Sequence, residues 1–98
     1  MRKFALRVFV YVSPPIATSK AISIIQQILS EDKDLHDISS MKVKEVGSLG
    51  RLRIDFSFPA ATPSEADEEA DKIIQTLMER VKSKTESVHE GSNLLSYA

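Results

Sequence analysis

An α+β two-layer sandwich, one sheet with both helices on one of its faces, is the fold this sequence predicts. Three observations predict it. Arg51 to Phe58 reads RLRIDFSF, with Leu52, Ile54, Phe56 and Phe58 on one side of an extended segment and Arg51, Arg53, Asp55 and Ser57 on the other. That period of two belongs to a strand with one face in a core. Phe4 to Val12 alternates in the same way, and the stretches Ala21 to Leu29 and Ala66 to Val81 repeat apolar residues at helical spacing.

The first strand, Phe4 to Val12, sets Phe4, Leu6, Val8, Val10 and Val12 on one face and Ala5, Arg7, Phe9 and Tyr11 on the other. The first set is purely apolar and is assigned to the core. Ser13-Pro14-Pro15 ends the strand, because two prolines remove two successive N–H donors. Thr18 or Ser19 is expected to cap the first helix, whose apolar arc is Ala21, Ile22, Ile24, Ile25, Ile28 and Leu29. In the connection that follows, Leu35 and Ile38 are expected to seal the bottom of the core.

The second strand runs from Met41 to Val46, with Met41, Val43 and Glu45 on one face and Lys42, Lys44 and Val46 on the other. The glycine-bounded turn Gly47 to Gly50 predicts a hairpin with the central strand. Thr62-Pro63-Ser64-Glu65 then starts the second helix. Threonine caps, proline suits the first helical position, and Glu65 stands three residues on as in a capping box. Ala66, Ala70, Ile73, Ile74, Leu77, Met78 and Val81 form its buried stripe, and the helix is expected to end at Ser83 or Lys84. Residues 1–84 thus read as a single sandwich domain, and residues 85–98 as a C-terminal tail, flexible or docked on the sheet edge or a partner.

A right-handed crossover places the first two strands parallel and leaves room between them for the third. The expected sheet has three strands in the order 1-3-2, a ferredoxin-like βαββα unit lacking its last strand. Leu94 to Tyr97 is a candidate for the missing one. With that slot unfilled, the first strand is an apolar edge that Arg7 alone guards. Pairing two first strands across a two-fold axis would cover it, so a homodimer is expected.

The composition, 42% hydrophobic and 28% charged over 98 residues, suits one globular domain. There is no cysteine, so disulfides and thiolate chemistry are excluded and nothing asks for an oxidising compartment. A cytoplasmic location is expected. No segment approaches the ~18 apolar residues of a membrane span. The net charge of −1 is unevenly spread, +3 over residues 1–64 and −4 over residues 65–98.

Catalytic and metal motifs are wanting. His36 beside Asp37 and His89 beside Glu90 lack metal-ligand spacing, and Glu65, Asp67, Glu68, Glu69 and Asp71 are explained by the positive end of the helix. GSLG is not a phosphate loop, and no serine stands in a readable triad. No catalytic, metal-binding or cofactor-binding residue is assigned, and no cofactor is expected.

The functional candidate is the open sheet face, carrying Arg7, Phe9, Tyr11, Lys42, Lys44, Arg51 and Arg53. RVFVYVS at Arg7 to Ser13 and GRLRIDFSF at Gly50 to Phe58 resemble the two short sheet motifs of the RNA-recognition motif family. The resemblance implies base stacking on exposed aromatics, with Phe9 or Tyr11 in the first-strand role. The third strand departs from the pattern, for its exposed positions hold Arg53, Asp55 and Ser57. LRVFVYVSPPIATSKAISIIQQIL also resembles the opening of the KaiB clock proteins, and no function is carried over from it. The favoured expectation is a small non-catalytic interaction or regulatory protein that self-associates or binds a protein partner through its sheet edge or open face. A single-stranded nucleic-acid-binding module on the same face is the alternative. A third class is an enzyme whose site forms only between subunits, and it is not favoured.

Overall fold

The computed structural model describes residues 2–35, 37–47 and 50–97. The elements are β1 (Arg2–Val12), α1 (Thr18–Glu31), β2 (Ser39–Glu45), β3 (Arg51–Ala60), α2 (Pro63–Lys82) and β4 (Val88–Tyr97), with single 3-10 turns at Pro15–Ala17 and Lys33–Leu35. The sheet order is β2-β3-β1-β4, and every neighbouring pair is antiparallel.

The three-stranded 1-3-2 sheet is corrected to four strands. β3 does lie between β1 and β2, but β4 pairs with the far side of β1, from Phe4↔Tyr97 to Val12↔Val88. β1 is therefore a central strand and not an edge, and the edge-pairing argument for a dimer falls with that correction. The stretch Val88 to Tyr97 alternates poorly in hydrophobicity because the ladder is interrupted between Val8 and Val10. Such an irregularity shifts which side chains face which way. Gly91 sits in that interruption, where its missing side chain lets β4 approach the backbone of Phe9.

The core forms where the alternation of β1 and β3 meets the helical stripes. Phe4, Leu6, Val8, Val10 and Val12 face Leu52, Ile54, Phe56, Phe58 and Ala60 in one apolar layer. Ala21, Ile25, Ile28 and Leu29 of α1, with Ala66, Ala70, Ile73, Ile74, Leu77, Met78 and Val81 of α2, cover it. Each large side chain so buried contributes about 1.5–3 kcal/mol of transfer free energy. Phe4 and Phe58 stack with ring centroids 6.3 Å apart. Leu35 is buried and Ile38 packs partly against the same cluster, as expected of residues that seal the bottom of the core.

The two helix starts differ. At α2, Thr62 Oγ1 accepts from the Glu65 N–H at 3.2 Å, and Glu65 Oε2 accepts from the Ala61 N–H at 3.1 Å. Glu65 thus reaches one residue further back than a capping box requires. At α1 the expected cap by Thr18 or Ser19 does not form. The Pro15–Ala17 turn winds the chain before the helix begins, and Thr18 Oγ1 donates to the Pro15 carbonyl at 2.6 Å. The far end of the helical layer is tied by Arg80, whose Nε donates to Asp32 at 2.8 Å and whose Nη2 donates to Asp34 at 2.7 Å. The hydrogen bond to Asp32, foremost, holds the Arg80 guanidinium above its ordinary pKa.

Gly50 closes the β2–β3 hairpin against β1. Its φ of +82° is a left-handed conformation, and its carbonyl accepts from the Val12 N–H at 2.6 Å. Ser48 and Leu49 of that turn lie outside the described residues. No helix among the described residues is long and apolar enough to cross a membrane.

Candidate functional site

With both helices on one side, no layer among the described residues covers the other face of the sheet, and cross-strand register arranges its side chains in rows. Lys42 stands beside Asp55, and Asp55 beside Arg7, which in turn faces Leu94. The next row holds Lys44, Arg53 and Phe9. The row beyond holds Arg51, Tyr11 and His89. On the other flank stand Ser57, Ala5 and Ser96. All seven residues singled out from the sequence, Arg7, Phe9, Tyr11, Lys42, Lys44, Arg51 and Arg53, thus fall on this one face.

The face is an interlocked array. Arg7 Nε donates to Asp55 Oδ1 at 2.8 Å. Arg53 Nε lies 2.9 Å from Asp55 Oδ2, an ion pair by distance, but its N–H is not aimed at the oxygen. The charge pairing is made and the hydrogen bond is not. Asp55 is therefore shared between two guanidiniums, each meeting it through Nε. The Arg51 guanidinium lies over the Phe9 ring, 4.5 Å from its centroid, a cation–π contact. Phe9 is half-buried and already carries a cation on its ring, which removes it as a free stacking platform. Tyr11 is 48% exposed and Leu94 60% exposed, large apolar surfaces at opposite ends of the array.

Between the rows lies a hollow of about 460 Å³, within the ordinary range for small-molecule sites. Arg7, Lys42, Lys44 and Arg53 line it with the single carboxylate Asp55; Ser40, Ser57 and Ser96 add hydroxyls. β4 contains the candidate strand Leu94 to Tyr97 but begins at Val88, and its contribution to the open face was not foreseen. His89, Leu94 and Ser96 join the face only because β4 pairs with β1, and no periodicity in VHEGSNLLSY announces that pairing.

A second hollow, of about 370 Å³, opens at the end of the sandwich between α2 and the α1–β2 connection. Leu35, Ile38, Phe58 and Ile73 floor it, and carboxylates rim it. Two of those carboxylates have structural duties, Asp34 on Arg80 and Glu65 on the Ala61 N–H. No group of three or more metal-ligating side chains forms among the described residues. His36 lies outside the described residues. His89 lies in β4, in the sheet.

No family profile and no curated protein matches this chain. Solved structures do. A Chloroflexus aurantiacus protein provisionally named an antibiotic biosynthesis monooxygenase superposes with a TM-score of 0.65 at 10% identity, over 98% of this chain and 92% of that one. A dimeric ferredoxin-like protein from an uncultured marine organism superposes with a TM-score of 0.51 at 16% identity, over 100% of this chain and 89% of that one. At these identities the likeness shows the fold, a ferredoxin-like α+β sandwich. It also corrects the functional expectation. The non-catalytic interaction protein and its nucleic-acid-binding alternative were expected from the sheet edge and the basic, aromatic open face, and the exclusion of an enzyme from the lack of a linear catalytic motif. The likeness to a protein with a monooxygenase name overturns that inference, because a site assembled from one or two residues on each of several strands leaves no such motif.

Proposed function

We propose that this chain is a small enzyme acting on an organic molecule held at the open sheet face, and that it works as a homodimer. The observation that carries the reading is the hollow bounded by Arg7, Lys42, Lys44, Arg53 and Asp55, charged side chains held in fixed rows by three strands. The half-buried Arg53 and the exposed Arg7, held by a shared carboxylate, are preorganised donors, which is what stabilisation of developing negative charge requires. Tyr11 and His89, register partners on adjacent strands, stand one row beyond the Lys44 and Arg53 row that borders the hollow, and are assigned to proton transfer at that end. The fold shared with the monooxygenase-named protein supports catalysis, and that shared with the dimeric protein supports a dimer. Exposed Leu94 and Tyr11 are the surfaces a second copy would cover. The reading keeps the chain in the cytoplasm, which the lack of cysteine permits.

Oxygen uptake with a panel of small organic acids, run beside light scattering, tests both halves. Turnover should fall by at least about tenfold in Arg53→Gln and in Tyr11→Phe, as expected when a preorganised donor or a proton-transfer group is lost. Leu94→Asp should shift the mass from dimer to monomer. A wild-type protein that is monomeric at its highest soluble concentration refutes the dimer. Turnover that survives both site substitutions unchanged refutes the open face as the reaction surface.

A further inference from the structure

The open face is short of negative charge, and the shortage is local. Lys44 and Arg53 are direct cross-strand partners, and Arg51 follows two residues along on the same side of β3. Like charges directly opposite one another on a sheet repel. Among the described residues the one carboxylate within this array, Asp55, stands in the neighbouring row and is shared between Arg7 and Arg53. Each of those arginines meets it through Nε, which leaves the terminal nitrogens of the guanidinium for another acceptor. Lys42, beyond Asp55 in the same row, adds a further cation to the same hollow. Ala5, Leu6, Phe56 and Leu94 supply the apolar lining, and the Phe9 ring beside the hollow carries Arg51.

We propose that the ligand of this face is a compact organic anion bearing two or more acidic groups, carboxylates or phosphates, with one group seated between Lys44 and Arg53. The inference rests on the open face being the reaction surface and names the substrate class for it. Among the described residues, four cations line the hollow against one carboxylate, an excess of three charges that a monovalent acid would not balance. Arginine forks and lysine ammoniums are the donors suited to such oxyanions. Bound multivalent anion also supplies the counter-charge without which two copies of this basic face would repel on closing.

The test is binding, read without turnover. Citrate serves as the carboxylate probe and 2-phosphoglycolate as the phosphate probe, with acetate and chloride as monovalent controls at matched ionic strength. Calorimetry and amide chemical-shift mapping are run on the intact chain and on Lys44→Ala, an exposed position whose loss leaves the core untouched. We expect multivalent anions to bind with a dissociation constant near or below about 1 mM, to shift amides around Lys42 to Lys44 and Arg53 to Asp55, and to bind about fivefold or more weakly to Lys44→Ala. The tighter of the two probes identifies the acidic group. An equal response to acetate or chloride at the same ionic strength overturns the proposal, as does unchanged affinity in Lys44→Ala. Binding of citrate without oxygen uptake on any acid would uphold the ligand class while the catalytic reading fails. Turnover of a neutral substrate without anion binding would do the reverse.

Discussion

Gly91→Ala tests the step that turned an expected tail into part of the sheet. The glycine lies in β4 where the ladder with β1 is interrupted between Val8 and Val10. A Cβ added there would stand 2.6 Å from the carbonyl oxygen of Phe9, 3.2 Å from its carbonyl carbon and 2.9 Å from Tyr11 Cε2. Contacts between non-bonded heavy atoms are optimal near about 3.5–4.0 Å, so the methyl overlaps a main-chain group by most of an ångström. The half-exposed Tyr11 ring can swing away, but the Phe9 carbonyl cannot, because Phe9 is paired with Arg53 of β3 and its neighbours Val8 and Val10 are paired with β4. β4 must give instead. Overpacking of this kind costs about 1–3 kcal/mol, while alanine recovers ~0.5–1 kcal/mol of chain entropy relative to glycine. The net loss is about 1–2 kcal/mol, which for a domain of this size lowers Tm by roughly 4–16 °C. Circular dichroism melts and urea titrations on Gly91→Ala against the parent read it directly, and hydrogen exchange should show the loosening confined to β4 amides. A Tm equal to or above that of the parent would show that β4 does not lie against Phe9 as described, and the contribution of His89, Leu94 and Ser96 to the open face would go with it.

Other substitutions probe the remaining links. Phe58→Ala, which empties a buried site stacked on Phe4, should cost about 3–5 kcal/mol in urea denaturation. Thr62→Ala removes the acceptor for the Glu65 N–H and should cost about 1 kcal/mol, visible as a lower urea midpoint with unchanged slope. Lys44→Glu replaces a like-charge cross-strand pair by an opposite one; the urea midpoint should rise by the equivalent of a few tenths of a kcal/mol, limited by solvent screening, while affinity for citrate disappears. Arg80 has its pKa raised in the fold by Asp32, so its stabilisation is present below the unfolded value and is lost only as pH rises through the still higher folded one. Melting curves from neutral to mildly alkaline pH should therefore show no loss attributable to Arg80, and Arg80→Ala should lower Tm to the same extent across that range.

Alternation and helical spacing determined most of the framework from the sequence alone. RLRIDFSF could only be a strand with Leu52, Ile54, Phe56 and Phe58 inward, and that same period of two set Arg51, Arg53, Asp55 and Ser57 on the face opposite the core. The stripes of α1 and α2 and the Thr62 cap follow from equally local rules, as does the β2–β3 hairpin. Position within the sheet was another matter. Val88 to Tyr97 has no clean alternation, because an irregular register changes which side chains turn inward, so its place beside β1 is settled by the vacant edge of an apolar strand and not by its own residues. The α1 start differs because a 3-10 turn over Pro15–Ala17 precedes the helix and supplies its entry, leaving Thr18 inside the first turn and not at the cap. The chemical character of the open face also belongs to tertiary structure. The sequence separates Arg7 and Lys44 from the Arg53 and Asp55 pair, and only strand pairing sets Lys44 against Arg53 and Arg7 against Asp55. Charge is a property of each residue, but its excess at one place comes from register, which long-range pairing decides.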